Sequence, residues 1–153
     1  MVSIIIPTLN EAENLPLLVP RIAAAMAGRP YEIVVVDDDS RDDTRAVCAR
    51  LSEQYPLTLH VRQHAKDGLS GAVLAGFGLA EGDVLAVMDA DLQHPPETLP
   101  ALLAPLDNNE ADFVLGSRHA PGGTVEEQWG VFRRLNSRVA TLQIGRASCR
   151  ERV

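Results

Sequence analysis

Short, unbroken apolar runs recur along the chain with helix-like stretches between them: VSIII (2–6), EIVVVD (32–37), LTLHV (57–61), VLAVM (84–88) and DFVLG (112–116). A strand that is apolar at every position has to be covered on both faces, which a sheet with one wet face does not provide. Strands and helices in alternation then predict a parallel α/β sheet with helices on either side. The helices are expected over 13–27, 42–54, 69–80 and 96–106, with a last one beginning near Glu126. Asn10 is placed to cap the first of them, Pro16 falls in its first turn, and Pro20 should kink or shorten it. The third, LSGAVLAGFGLA, is rich in small residues and suited to close packing on the sheet.

A length of 153 residues suits one domain with a real core. The formal net charge of −7 argues against a broad attraction to nucleic acid or anionic lipid and leaves only local arginine clusters to bind anions. No apolar run reaches the roughly 20 residues of a membrane-spanning helix. The N-terminus, MVSIIIPTLNEAEN, has neither the basic nor the long apolar region of a signal peptide, and Cys48 and Cys149 make no disulfide framework. These features point to the cytosol. The end, QIGRASCRERV, differs in composition from everything before it and resembles an in-frame translation of a sequencing adapter. Residues 143–153 are therefore expected to be a non-native tail, and 1–142 a single domain that is incomplete at its C-terminal side.

In open α/β sheets, ligands bind beyond the carboxyl ends of the strands. Three such ends are distinctive here: PTLNE, VVVDDDS and MDADLQ. Asp89 and Asp91 are two residues apart, so in extended chain both side chains face one way, and Gln93 prolongs the row. Three oxygen donors suit Mg²⁺ or Mn²⁺ with positions left for phosphate oxygens; the plainer alternative has Asp91 capping the next helix. Asp37, Asp38 and Asp39 are either a solvated run or reach a ribose or base, with Ser40 and Asp42 as helix caps. A nicotinamide-dinucleotide site is excluded, because the turn PTLNEAENL has no glycine to let a pyrophosphate approach the backbone. Trp129, Arg133 and Ser137 lie four apart on one helix face, where with Arg118 they form either a second phosphate site or a salt-bridged basic surface. His60 and His64 read as structural, and His94 as a poorer metal ligand than Gln93.

Taken together, PTLNEAENLP, EIVVVDDDSRDDT, GLSGAVLAGF, VMDADLQHPPE, GSR and WGVFRRLNSRVA resemble, in order, the polyprenol-phosphate (dolichol-phosphate) mannosyltransferases. These are nucleotide-sugar enzymes with the GT-A fold, a Rossmann-like and mostly parallel sheet flanked by helices, and the resemblance covers residues 2 to about 142. It implies inverting transfer of a hexose, mannose foremost, from GDP-mannose to a polyprenyl phosphate, with Mg²⁺ or Mn²⁺, at the cytoplasmic face of a membrane. Residue by residue, it implies that Pro7, Leu9, Glu11, Val36 and Asp38 hold the nucleoside. Asp89, Ala90, Asp91 and Gln93 would hold metal and diphosphate, with Asp89, Asp91 and Gln93 as the metal ligands. Arg118, Arg133 and Ser137 would face the lipid phosphate, and Asp91, Arg118 and Arg133 would be the catalytic residues.

Leu9 stands where the family commonly has tyrosine, and Asp43 replaces a usual glycine. Further donor- and acceptor-binding residues of the family, beyond the last residue here, have no counterpart. Two readings from other classes are a receiver-like Mg²⁺-binding signalling domain, which would need a lysine where GSR stands, and a nucleotidyltransferase. No nucleic-acid partner is expected.

Overall fold

The structure, a computed structural model, describes residues 1–117. The chain divides into two compact units, Met1–Val114 and Leu115–Val153. In the first, β1 (Val2–Thr8), β2 (Tyr31–Asp37), β3 (Leu57–Val61) and β4 (Val84–Val87) form a parallel sheet of order β3-β2-β1-β4. The helices are α1 (Leu15–Ala25), α2 (Thr44–Ser52), α3 (Gly68–Leu79) and α4 (Leu99–Asp107), the last preceded by a 3₁₀ turn at Pro96–Thr98.

The unbroken apolar runs acquire their meaning in β1 and β2. Alternate side chains leave opposite faces of a strand. Ile4, Ile6, Ile33 and Val35 share one cluster with Leu18 and Ile22 of α1, Val47 of α2 and Leu103 of α4. Ile5, Val34 and Val36 cluster on the other face with Ala72 of α3. The closeness of α3 depends on Gly76, where a Cβ would come 2.4 Å from Ile5 Cγ2. Two-sided cover does not extend to β4, which alternates: Leu85 and Val87 are 43% and 47% exposed. They share the Ile5 face by register, but α3 lies over β1 and β2, so this end of the sheet projects beyond it.

Leu15, Leu18, Val19 and Ile22 make the i, i+3, i+4, i+7 stripe of α1 and are all completely buried. That burial carries the helix past Pro20, which removes one backbone hydrogen bond, to Ala25. Asn10 is not its cap; that position falls to Asn14, and Asn10 instead has φ 59° in the preceding loop.

The run DFVLG does not form the expected fifth strand among the described residues. An apolar run becomes a strand only where an edge supplies ladder partners and a face buries its side chains. Phe113 and Leu115 stay 78% and 76% exposed. The helix expected near Glu126 and residues 143–153 lie outside the described residues. No helix among the described residues is long and apolar enough to cross a membrane.

Candidate functional site

From β1 the chain steps to β2 and β3 on one side, and β4 lies on the other, so the order reverses between β1 and β4. Such a switch point is where open α/β sheets hold ligands. The turn after each of the four strands contains a side-chain-bearing residue in left-handed backbone: Asn10 (φ 59°), Asp39 (60°), His64 (56°) and Leu92 (61°). Left-handed backbone is uncommon outside glycine, and strain of this sort concentrates at functional sites.

The acidic run after β2 separates into distinct jobs. Asp37 is completely buried and accepts hydrogen bonds from the Ser40 N–H at 3.0 Å, the Ser40 hydroxyl and the Thr8 hydroxyl at 3.2 Å. Asp39 pairs with Arg45 at 2.5 Å on the surface. Ser40 and Asp42 are expected as helix caps. The cap position of α2 falls to Asp43, but Asp42 Oδ1 does accept the N–H of Thr44, the first residue of that helix, at 3.0 Å. Both Ser40 and Asp42 also clamp the β1 loop. The N–H of Asn10 donates to Ser40 Oγ (2.8 Å), that of Glu11 to Thr44 Oγ1 (3.0 Å) and that of Ala12 to Asp42 Oδ2 (3.1 Å). The Thr44 hydroxyl first, and then the N–H groups of Ala12 and Thr44, hold the Asp42 carboxyl below its usual range. Three consecutive amides of the glycine-free turn are therefore spent within the protein, and a phosphate has to be held elsewhere.

Asp38 faces a different setting. It lines a cavity of about 410 Å³ with Leu9, Asn10, Asp39, Arg41, His64 and Ala65, drawn from the ends of β1, β2 and β3. His64, read as structural from sequence, is one of these walls. The carboxylate of Asp38 is gripped from behind by Arg62, Nε to Oδ1 at 2.8 Å and Nη2 to Oδ2 at 3.0 Å. Of the expected nucleoside residues, Leu9 and Asp38 meet in this cavity. Pro7 and Val36 are ladder partners buried in the sheet, and the Glu11 carboxylate accepts a bond from the Asn14 amide at 2.7 Å.

On the other flank of β1, Met88 N–H closes the last ladder bond with Ile5 and the chain then bends. Ala90 is buried, while Asp91 is exposed and the Asp89 side chain is 47% exposed. The left-handed Leu92 breaks the extended row that sequence periodicity would have continued to Gln93. Gln93 instead donates its N–H to Asp91 Oδ1 at 3.0 Å, so Asp91 closes a local turn rather than capping a helix. His94 Nδ1 lies 3.6 Å from Asp89 Oδ2. No arginine or lysine among the described residues pairs with Asp89 or Asp91. Among the described residues no three of His, Cys, Asp and Glu converge. Two accessible carboxylates beside an amide fit a hard dication that keeps much of its coordination for water and phosphate oxygens, and do not fit a metal caged by protein. Arg118, Arg133 and Ser137 lie outside the described residues.

The clamp of Asp37, Ser40, Asp42 and Thr44 and the Arg62 fork were missed from sequence. The dense polar spacing of DDDSRDDT was the available signal for the first. An isolated arginine after β3 gave none for the second.

The profile of Glycosyl transferase family 2 matches residues 3–149. The dolichol-phosphate mannosyltransferase of Pyrococcus furiosus is 50% identical over 145 residues, covering 95% of this chain and 40% of that protein. The polyprenol monophosphomannose synthase of Mycolicibacterium smegmatis is 46% identical over 141 residues, covering 90% and 52%. A solved mannosyltransferase of Pyrobaculum calidifontis in complex with GDP-Man and Mn²⁺ aligns with a TM-score of 0.56 at 30% identity, covering 65% of this chain and 30% of that one. The chain spans about half the length of the curated relatives it matches. The expected GT-A architecture, a parallel sheet flanked by helices, is borne out, and the receiver-like and nucleotidyltransferase readings fall away. The chain belongs to glycosyl transferase family 2.

Proposed function

We propose that this chain is the donor-binding part of a metal-dependent, inverting transferase that moves mannose from GDP-mannose to a polyprenyl phosphate of the dolichyl type. One observation carries the reading: the Asp38 cavity and the accessible Asp89 and Asp91 flank the end of β1 on its two sides. The names of the curated relatives supply mannose and a polyprenol-type phosphate, and the solved relative supplies GDP-Man and Mn²⁺.

Asp38 accepts hydrogen bonds from the nucleoside and Leu9 offers it an aliphatic wall, with Glu11 nearby and the buried Pro7 and Val36 supporting the subsite from within the sheet. Asp89, Ala90, Asp91 and Gln93 would hold Mg²⁺ or Mn²⁺ and the donor diphosphate. The dication, when bound, neutralises charge on the departing diphosphate. Without it Asp89 and Asp91 would repel that group, and the spent amides of the β1 loop offer no substitute. The acceptor phosphate is ionised near neutral pH, so the reaction needs no strong general base, and in-line attack at the anomeric carbon inverts it. Two anions must meet, and Arg118, Arg133 and Ser137 are assigned to the acceptor phosphate to offset their repulsion. A polyprenyl acceptor places the reaction at a membrane surface, on its cytoplasmic face.

Calorimetric titration with GDP-mannose and UDP-glucose, each with and without Mn²⁺, tests the proposal. GDP-mannose should bind with Mn²⁺, and far less without it or against UDP-glucose. Equal affinity for both sugars, or indifference to Mn²⁺, would overturn it.

A further inference from the structure

Arg62 follows β3, and its backbone N–H donates to Asp37 O at 2.8 Å, which fixes the root of its side chain against β2. Four hydrogen bonds then engage the guanidinium: two to the Asp38 carboxylate at 2.8 and 3.0 Å, one to Asp67 Oδ1 at 2.9 Å and one to Gly68 O at 3.0 Å. Its side chain is only 11% exposed. A guanidinium so committed has little left for a ligand anion. What it supplies is orientation, since a planar fork on both oxygens fixes the plane of a carboxylate as an ammonium does not.

Small residues make room for this arrangement. Gly68 has φ 57°, and a Cβ on Gly71 would lie 1.9 Å from Asp67 Oδ2. The stretch RQHAKDGLSG thus assembles Arg62, Asp67, Gly68 and Gly71 into a bracket between the β3 end and the start of α3.

Resting on the reading of the Asp38 cavity as the donor site, we infer that Arg62 is the positioning residue of that site. It acts through Asp38. With Arg62 on the shared edge of both oxygens, the lone pairs left on Asp38 diverge, and the carboxylate offers the cavity one acceptor of fixed direction. Such an acceptor suits a single hydrogen-bond donor, which a nucleobase N–H and a ribose hydroxyl both offer.

Calorimetry of the full chain with Mn²⁺ and GDP, IDP or 2′-deoxy-GDP separates the two sources and tests the inference. Arg62→Lys should weaken GDP about tenfold, roughly the scale of losing one charge-assisted contact. It should also erase the preference for GDP over IDP if the base N–H is read, or over 2′-deoxy-GDP if the ribose hydroxyl is. In an Asp38→Ala background the same change should cost nothing further. Asp67→Asn, at a 64% exposed side chain, should give a smaller loss in the same direction without threatening the fold. Losses that add in the double variant, or a preference that survives Arg62→Lys, overturn the inference while leaving the donor site standing. Unchanged GDP affinity in Asp38→Ala removes the donor site and the inference together.

Discussion

Asp37 and Ser40 close a buried ring at the end of β2, the Ser40 N–H and hydroxyl both donating to one carboxylate. Ser40 passes the constraint on, because its oxygen also accepts the Asn10 N–H at 2.8 Å. The acid that looks most like part of a charged binding run is thus the one that holds the β1 loop in place. Asp37→Ala strands the Ser40 donors in a dry setting, leaves the Thr8 hydroxyl only the Val36 carbonyl at 3.5 Å, and should cost about 2–4 kcal/mol, seen as a lower urea midpoint. Asp37→Asn, keeping the shape and one acceptor, should recover part of it. A midpoint unmoved by Asp37→Ala would show that the ring holds nothing.

The contrast between Asp37 and Asp38 shows what was legible in the sequence. Strand positions, their parallel arrangement and the gathering of acids at one end followed from apolar runs and their order, because burial on both faces leaves an unbroken pattern. Which acid faces inward did not follow. Adjacent carboxylates differ by the side of the strand they leave, and of the partners that settle the matter only Ser40 is local, while Thr8 and Arg62 come from distant sequence. The same limit applies to Gln93, whose place in the row assumed extended chain that Leu92 does not maintain. DFVLG failed for a third reason: apolar content cannot announce whether a face is there to bury its side chains, and Phe113 and Leu115 stay exposed.

Gly76 predicts how little space separates α3 from the sheet. A Cβ there would meet Ile5, a completely buried β-branched residue with few alternative rotamers. Gly76→Val should destabilise by about 2–3 kcal/mol, typical of overpacking a tight core. Gly78, with open space around its Cβ position, provides the control. Gly78→Ala should be neutral or stabilising, up to about 1 kcal/mol from helix propensity. Equal effects of the two substitutions in urea denaturation would refute the close-packing account.

Cys48 gives a pH dependence with a definite sign. Burial, reinforced by the negative charge of Asp37, pushes its thiol up to about 11 from a usual 9.0. The folded state therefore holds the proton more tightly than the unfolded state. The stabilisation is complete below pH 9.0 and is lost as pH rises towards about 11. With Cys149 changed to serine, thiolate absorbance of the native protein should titrate near that upper value, and iodoacetamide at pH 8 should label Cys48 only after denaturant is added. Rapid labelling of the native protein would show that the thiol is not shielded.

Asp91 offers the sharpest separation of site from scaffold. It is exposed, and among the described residues the one hydrogen bond that fixes it is the Gln93 N–H at 3.0 Å, so Asp91→Ala should move stability by no more than about 0.5 kcal/mol. The assigned role demands a large effect on the metal-dependent part of donor affinity. A carboxylate that anchors a sparsely held dication has few companions to compensate, and its loss should weaken GDP binding in Mn²⁺ by about a hundredfold, at least what loss of a supporting partner costs at metal sites. Affinity measured in chelator should stay where it was, because Leu9 and Asp38 are untouched. Titrating GDP into both forms with Mn²⁺ and with chelator isolates the effect. Parallel losses in the two conditions would mean that Asp91 shapes the turn around Gln93 and holds no metal.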